Sequence, residues 1–208
     1  MLEDVKTNVL KGKMKKIEGV VQETLDEGVP AQDILDAMIE TMGVIGDKFQ
    51  NNEIFVPEML ISARTMKKGV EVLRPLLTGD AVTKLGKVII GTVKGDLHDI
   101  GKNLVAIMIE SAGFEIVDLG VDVPPEAFVE ALKENPDCKI IGISALLTTT
   151  MDSMRATVEA IKEAGLRDSV KIMVGGAPIT QAFCDEIGAD VYTTDAGSAA
   201  KAAKEIVA

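Results

Sequence analysis

The stretch Gly95-Asp96-Leu97-His98-Asp99-Ile100-Gly101-Lys102 lies just beyond a β-branched run at residues 87–93. Four similar short runs follow it, at residues 114–119, 139–144, 170–174 and 190–193. Amphipathic segments separate the runs, for example residues 103–111, 125–134 and 151–164. Short strands that alternate with helices form parallel sheets that are covered by helices on both faces. The pattern therefore predicts an α/β domain in which the quoted stretch is the loop after the first of five strands.

The N-terminal part of the chain has a different pattern. From Glu3 to about Leu77 the apolar residues recur at helical spacing, and none of this segment is typical of a strand. Turn-forming residues divide the segment at Gly12, at Gly28-Val29-Pro30 and at Gln50-Asn51-Asn52. Four helices joined by short loops predict a small antiparallel bundle.

These two patterns predict a helical domain at residues 1–80 and an α/β domain at residues 86–208, with a turn at Thr78-Gly79-Asp80 between them. We expect the second domain to be flavodoxin-like or Rossmann-like, with strand order 2-1-3-4-5. Such open sheets bind ligands at the carboxyl ends of the strands, at the crevice between strands 1 and 3. The stretch after strand 1 and the segment Ser144 to Thr150 after strand 3 should meet there.

Composition argues against several classes of function. A net charge of -11 and an aromatic content of 3% are unfavourable for binding nucleic acid. The chain has no apolar run of roughly 20 residues and no apolar secretory signal, so we expect a cytoplasmic protein without a membrane partner. Cys138 and Cys184 fit neither a disulfide framework nor a CxxC pair.

His98 is the only histidine, and a lone histidine is most often structural. Its position at the predicted crevice, with Asp96 and Asp99 nearby, indicates a second interpretation. A carboxylate can hold one ring nitrogen as a donor, which leaves the other nitrogen to coordinate a metal or to take a proton. A protein-only zinc site needs three or four ligands, so a metal here would have to arrive within a macrocycle.

Two common cofactors are not supported by the motifs. The chain lacks the CxxCH haem attachment motif, and its first βα turn contains neither GxGxxG nor the phosphate-binding loop GxxxxGK[ST]. The pair Gly175-Gly176 after strand 4 allows two interpretations, a tight turn or clearance for a bulky ligand. Both interpretations remain open from the residues alone.

Asp96-x-His98-x-x-Gly101, followed by Ser144-x-Leu146 and Gly175-Gly176, resembles the three-part signature of cobalamin-binding domains. The helical segments at 53–59 and 62–67 are similar to the cap that precedes the cobalamin domain of methionine synthase. Together these parts resemble, over nearly the whole chain, the corrinoid proteins of methanol, methylamine and methoxy-aromatic methyltransferase systems.

The resemblance implies a bound cobalamin or related corrinoid, as methylcobalamin or cob(I)alamin. It implies base-off binding with His98 as the lower axial cobalt ligand, and a proton relay through Asp96, His98 and Thr150. Phe55 and Met59 of the cap would cover the methyl-bearing face. The other implied cofactor contacts, in chain order, are Gly95, Asp96, His98, Asp99, Ile100, Gly101, Ser144, Leu146, Thr148, Gly175, Gly176, Ala196 and Gly197.

The implied function is to carry a methyl group on cobalt in one-carbon metabolism, as a carrier subunit that is not itself the catalyst. The implied partners are a substrate:corrinoid methyltransferase, a methylcorrinoid:acceptor methyltransferase that uses a tetrahydrofolate-type or thiol acceptor, and a reductive activase. The alternatives are a subunit of an adenosylcobalamin mutase or a cobalamin-dependent sensor. A receiver-like signalling domain is disfavoured because Ser144 stands where a phosphorylatable aspartate is required. The methyl donor and the oligomeric state are left open.

Overall fold

The computed structural model describes residues 1–77 and 85–208, and the chain divides into two compact units. The first unit comprises Met1–Lys84 with Ile107–Gly113, and the second comprises Leu85–Ala106 with Phe114–Ala208. The predicted turn Thr78-Gly79-Asp80, and with it the predicted domain end at residue 80, lies outside the described residues. No helix in the described part of the chain has the length and apolar character needed to cross a bilayer.

The helical pattern of the first 77 residues is confirmed. Its α-helices are α1 (Leu2–Leu10), α2 (Ile17–Asp26), α3 (Ala31–Gln50) and α4 (Val56–Leu73). The apolar residues that recur at helical spacing, such as Ile34 and Met38, are fully buried. Gly12 follows the first helix with a φ of 60°, and a Cβ there would overlap the side chain of Ile61. A side chain at this turn would therefore require Ile61 to move, in a left-handed conformation that glycine adopts most readily.

The second unit contains the predicted parallel sheet. Its strands are β1 (Lys87–Thr92), β2 (Glu115–Asp118), β3 (Cys138–Ser144), β4 (Lys171–Gly175) and β5 (Val191–Tyr192). All four neighbouring pairs are parallel and the order is β2-β1-β3-β4-β5, which confirms the predicted fold class. The helices between and after the strands are α5 (Ile100–Ser111), α6 (Pro125–Glu134), α7 (Met151–Glu163), α8 (Gln181–Ile187) and α9 (Ala196–Val207).

Apolar strand residues form the core of the α/β unit. Ile89, Ile141 and Ile172 stand on three adjacent strands and have no exposed surface. Phe128 of α6 is also fully buried in this cluster. Burial of each such side chain contributes about 1.5–3 kcal/mol relative to its exposure. This core fixes the central strands, and with them the loops at their carboxyl ends.

The loop after β1 is shorter than predicted. The sequence pattern predicts a loop that includes Lys102, whereas α5 begins at Ile100. The carbonyl of Asp99 accepts the first helical hydrogen bond, from the N–H of Asn103 over 2.7 Å. An aspartate is a favoured residue directly before a helix, in agreement with the earlier start. Gly101 therefore lies in the first turn of a helix.

Candidate functional site

Most of the predicted site residues of the α/β unit lie at the carboxyl ends of β1, β3 and β4, whereas Ala196 and Gly197 lie at the start of α9. The N–H of Val93, directly after β1, donates to the carbonyl of Ser144, the last residue of β3, over 3.0 Å. Beyond Ser144, the chain forms a 3₁₀ turn at Thr148–Thr150 before α7 begins. The structure therefore brings together the loop that contains His98 and the segment that contains Thr150, as the strand order predicts.

The ring of His98 is held by the carboxylate of Asp96. Nδ1 of His98 lies 2.7 Å from Asp96 Oδ1, and the backbone N–H of His98 donates to the same oxygen over 3.1 Å. The carbonyl of His98 accepts from the hydroxyl of Thr92 over 3.0 Å. The His98 side chain is 50% exposed, whereas that of Asp96 is fully buried. An ionised carboxylate keeps the proton on Nδ1, so the lone pair of Nε2 is available to a ligand.

The second carboxylate oxygen of Asp96 binds the segment after β3. Oδ2 accepts from the N–H of Leu146 over 2.7 Å, from the N–H of Leu147 over 3.3 Å and from the hydroxyl of Thr150 over 3.0 Å. Burial alone raises the pKa of Asp96, but hydrogen bonds from Leu146, His98 and Thr150 outweigh it and hold the pKa well below its usual range. Asp96 is therefore ionised at neutral pH and links the ends of two strands.

The glycines near this edge have different roles. A Cβ on Gly176 would overlap the carbonyl oxygen of Ala145, and Gly176 has a φ of 133°. Its lack of a side chain therefore permits a close approach of two backbones, which favours the tight-turn interpretation at this position. A Cβ on Gly101, in contrast, would meet no atom within 4 Å, so this glycine faces open space.

Large apolar side chains are exposed around His98. The exposed fractions are 73% for Leu97, 77% for Ile100, 41% for Leu146 and 39% for Leu147. Exposed apolar surface next to an oriented polar group is typical of a ligand site. The four apolar side chains fit a ligand with a broad apolar face, and Nε2 of His98 fits a metal that needs one more nitrogen ligand. Within residues 1–77 and 85–208, no three His, Cys, Asp or Glu side chains converge as a metal cage.

The other predicted cofactor contacts differ in how exposed they are. Asp99 is exposed, and its carboxylate accepts from the side-chain amide of Asn103 over 3.1 Å. Thr148 is exposed, whereas Ala196 and Gly197 are buried in the first turn of α9. In the helical unit, Phe55 is 67% exposed and Met59 is fully buried. The proposed contact of Phe55 and Met59 with a cofactor stays a prediction.

Sequence reasoning missed two carboxylates near this edge. Asp122 accepts from the N–H of Gly95 over 2.7 Å, although 27 positions separate the two residues. Asp118, at the end of β2, pairs with the buried ammonium of Lys102 over 2.6 Å. No local motif marks either aspartate, because only the parallel pairing of β1 with β2 places them beside the His98 loop.

Two family models match the chain, and each describes a B12 binding domain. One matches residues 86–204 and the other matches residues 1–74. The whole chain is 43% identical to dimethylamine corrinoid protein 3 of Methanosarcina acetivorans, of which it covers 97%. The chain belongs to the corrinoid protein family. The resemblance drawn from Asp96, His98 and Gly101 is thereby confirmed.

Solved structures support the same family. The corrinoid protein is similar to a cobalamin-binding protein from Desulfitobacterium hafniense DCB-2, with a TM-score of 0.84, 33% identity and coverage of 100% of this chain and 99% of the other. It is also similar to a chain of the methanol:cobalamin methyltransferase complex from Methanosarcina barkeri, with a TM-score of 0.86, 29% identity and coverage of 98% and 78%. These relatives point to methylamine and methanol systems, so the alternative of a mutase subunit or a sensor is not favoured.

Proposed function

We propose that this corrinoid protein carries a methyl group from a substrate-specific methyltransferase to a second methyltransferase, which uses a tetrahydrofolate-type or thiol acceptor. A bound corrinoid supplies the cobalt that accepts and releases the methyl group. The observation that carries this proposal is the 2.7 Å contact between Nδ1 of His98 and Asp96 Oδ1, which leaves Nε2 available to a metal.

In this proposal His98 is the lower axial ligand through Nε2, in place of the cofactor's own base. The negative charge of Asp96 makes Nε2 a stronger donor. When Nε2 is not bound to metal it is free to accept a proton, as the proposed relay through Asp96, His98 and Thr150 requires. The hydroxyl of Thr150 lies 3.0 Å from Asp96 Oδ2 and supports the carboxylate during both states, as the outer member of a proton relay.

The remaining proposed contacts are with apolar side chains and with small residues. Ile100 and Leu146 provide apolar surface, and Gly101 leaves room for a bulky group. We include Gly95, Asp99, Ser144, Thr148, Gly175, Gly176, Ala196 and Gly197 among the cofactor contacts. The helical domain is proposed to cap the methyl-bearing face, and the exposed ring of Phe55 is a better candidate for that contact than the buried Met59.

The proposed partners are a cognate substrate:corrinoid methyltransferase, a methylcorrinoid:acceptor methyltransferase and a reductive activase. Support comes from the relatives, one of which is a dimethylamine corrinoid protein and another a component of a methanol:cobalamin methyltransferase complex. Donor specificity then belongs to the partner enzyme, because the His98 site would contact only the shared cofactor.

Reconstitution with hydroxocobalamin tests the ligand assignment. The absorption and EPR spectra of the wild-type protein should show base-off cobalamin with a histidine ligand, whereas His98→Ala should lose that signature. Asp168→Asn is the control, because Asp168 is exposed in the turn before β4 and is not among the proposed cofactor contacts. Identical spectra for the wild type and His98→Ala would overturn the assignment.

A second experiment tests the carrier function. The reduced, cobalamin-bound protein is mixed with purified methyltransferases for methylamines or methanol and their methylated substrates, and cobalt methylation is followed by absorbance. We expect rapid methylation with one cognate enzyme and only slow reaction with free methyl donors. Failure with every candidate methyltransferase, under conditions in which a known corrinoid protein is methylated, would count against the proposal.

A further inference from the structure

Asp122 has a left-handed backbone conformation. It lies in the connection between β2 and α6, and its φ is 54°, in the left-handed region that residues other than glycine seldom adopt. Asn52 is the other residue besides glycine with a positive φ in the described part of the chain. Such conformations persist where surrounding bonds impose them, and they cluster at functional sites.

Two hydrogen bonds join Asp122 to the His98 loop. Its carboxylate Oδ1 accepts from the N–H of Gly95 over 2.7 Å, and its own N–H donates to the carbonyl of Asp96 over 3.0 Å. The first bond fixes the peptide before Gly95, and the second fixes the peptide after Asp96. Both bonds therefore restrict the residue whose carboxylate holds the His98 ring.

The segment that contains Asp122 is itself anchored to the first strand. The N–H of Thr92 donates to the carbonyl of Gly120 over 3.0 Å, and the N–H of Val123 donates to the carbonyl of Thr92 over 3.0 Å. Val93 and Val123 also form an isolated parallel bridge. These bonds leave Asp122 at the point where its left-handed backbone turns both its N–H and its carboxylate toward the His98 loop.

We propose that Asp122 is a positioning residue for His98: it holds the backbone on both sides of Asp96, and so keeps the Asp96 carboxylate on Nδ1 of His98. The inference rests on the proposed function insofar as His98 binds cobalt. The orientation of the imidazole is a property of the protein alone, however, and can be measured without cofactor.

Three substitutions of Asp122 distinguish the role of its carboxylate from the role of its backbone conformation. Asp122→Asn keeps an acceptor oxygen and tolerates the left-handed region. Asp122→Gly accepts that conformation freely but has no acceptor, and Asp122→Ala lacks both properties. A purely conformational role predicts that glycine performs as well as aspartate, whereas the positioning role predicts rescue by asparagine alone. Asn52→Ala, at a φ of 59° in the helical unit, controls for backbone strain away from His98.

The first measurement uses the protein without cofactor. His98 is the only histidine, so its ring nitrogens are identified directly in ¹⁵N NMR spectra. For the neutral ring, we expect mainly the Nδ1–H tautomer in the wild type and Asp122→Asn. In Asp122→Gly and Asp122→Ala we expect a clear shift toward the Nε2–H tautomer, and faster hydrogen exchange at the Gly95 amide.

The second measurement uses hydroxocobalamin. Asp122→Gly and Asp122→Ala should bind it on the order of tenfold more weakly, with a smaller histidine-ligated fraction, since outer groups that orient a metal ligand have effects of this size. Wild-type tautomer and ligation in Asp122→Gly would overturn the proposal. If the wild type fails to bind cobalamin, the proposed function fails, and the ring spectra alone decide the role of Asp122.

Discussion

The hydroxyl oxygen of Thr150 lies 3.0 Å from Asp96 Oδ2, although the two residues are 54 positions apart in the chain. The same oxygen also lies 3.0 Å from the carbonyl of Leu147. A hydroxyl has one proton to donate, so Thr150 can donate to Asp96 or to Leu147 but not to both at once. Because Asp96 is ionised, its carboxylate is the stronger of the two acceptors.

Thr150→Val tests the contribution of this hydroxyl, because valine keeps the shape of threonine and removes the donor. The buried Asp96 would lose one of its hydrogen bonds, so we expect the free energy of unfolding to fall by about 1–2 kcal/mol. Thr150→Ser should retain the bond and lose less than about 1 kcal/mol, from one missing methyl group. Urea unfolding of both variants distinguishes them, and equal losses would show that packing rather than the hydroxyl is responsible.

The ion pair between Lys102 and Asp118 should respond unequally to the loss of each partner. The Lys102 side chain is 1% exposed and that of Asp118 is 39% exposed, and the ammonium lies 2.6 Å from Asp118 Oδ2. Asp118→Asn leaves the buried ammonium of Lys102 without its counter-charge and should lower the free energy of unfolding by about 2–3 kcal/mol. Lys102→Met leaves only a partly solvated carboxylate and should lower it by about 1 kcal/mol. Thermal unfolding of these variants and the double variant checks the order, and an equal or reversed order would contradict it.

Asp190 should make stability depend on acid pH. Burial raises the pKa of its carboxyl, but bonds from the Ile172 N–H, Arg167 and Lys171 outweigh burial and hold that pKa below its ordinary value. A lowered pKa stabilises the fold above about pH 4, where the unfolded carboxyl is ionised, and this stability is lost as the pH falls through the folded pKa. Asp190→Asn should therefore cost about 1–3 kcal/mol at pH 7, and the difference from wild type should shrink below about pH 4.

The measurement for Asp190 is urea unfolding from pH 7 down to the acid limit of folding. Glu134→Gln is the control, because Glu134 is exposed at the end of α6 and is replaced by the corresponding amide. A stability difference for Asp190→Asn that persists undiminished below about pH 3 would show that packing, and not the charge, accounts for the effect.

Gly101→Ala should raise stability and weaken cofactor binding. Gly101 lies in a helix and faces open space, so alanine should stabilise the protein without cofactor by about 0.5 kcal/mol. If a cofactor fills that space, the added methyl group should cost about 1–3 kcal/mol of binding free energy. Gly19→Ala in α2, where a Cβ also meets nothing within 4 Å, is the matched control, with a similar gain in stability and unchanged hydroxocobalamin affinity.

The strand order and the Asp96–His98 pair could both be predicted from the sequence, for different reasons. Parallel pairing follows from the alternation of short β-branched runs with amphipathic segments, because parallel strands need helical crossovers, and 2-1-3-4-5 is one of the two common orders of such sheets. Asp96 and His98 are only two positions apart, so a short turn can bring them into contact. Thr150 could not be found by spacing, and it entered only through the resemblance to cobalamin-binding domains.

Asp122 and the true start of α5 were not predicted. The chain contains 33 Asp and Glu residues, and only strand register decides that Asp122 lies beside Gly95. The start of α5 does carry a local signal, since Asp99 is a favoured residue before a first helical turn. The sequence did not show that Met59 is buried whereas Phe55 is exposed. Methionines at helical spacing occur both in cores and on ligand-binding surfaces, so their spacing does not predict burial.

If His98 holds the corrinoid as proposed, Asp96 also connects cofactor binding to the completion of folding. Its carboxylate reaches residues about fifty positions further along the chain, so β1 and β3 must pair before the carboxylate has its full set of donors. A nascent or misfolded chain would display the same histidine without the bonds that orient it. Uptake of the cofactor would then report that the sheet is correctly assembled.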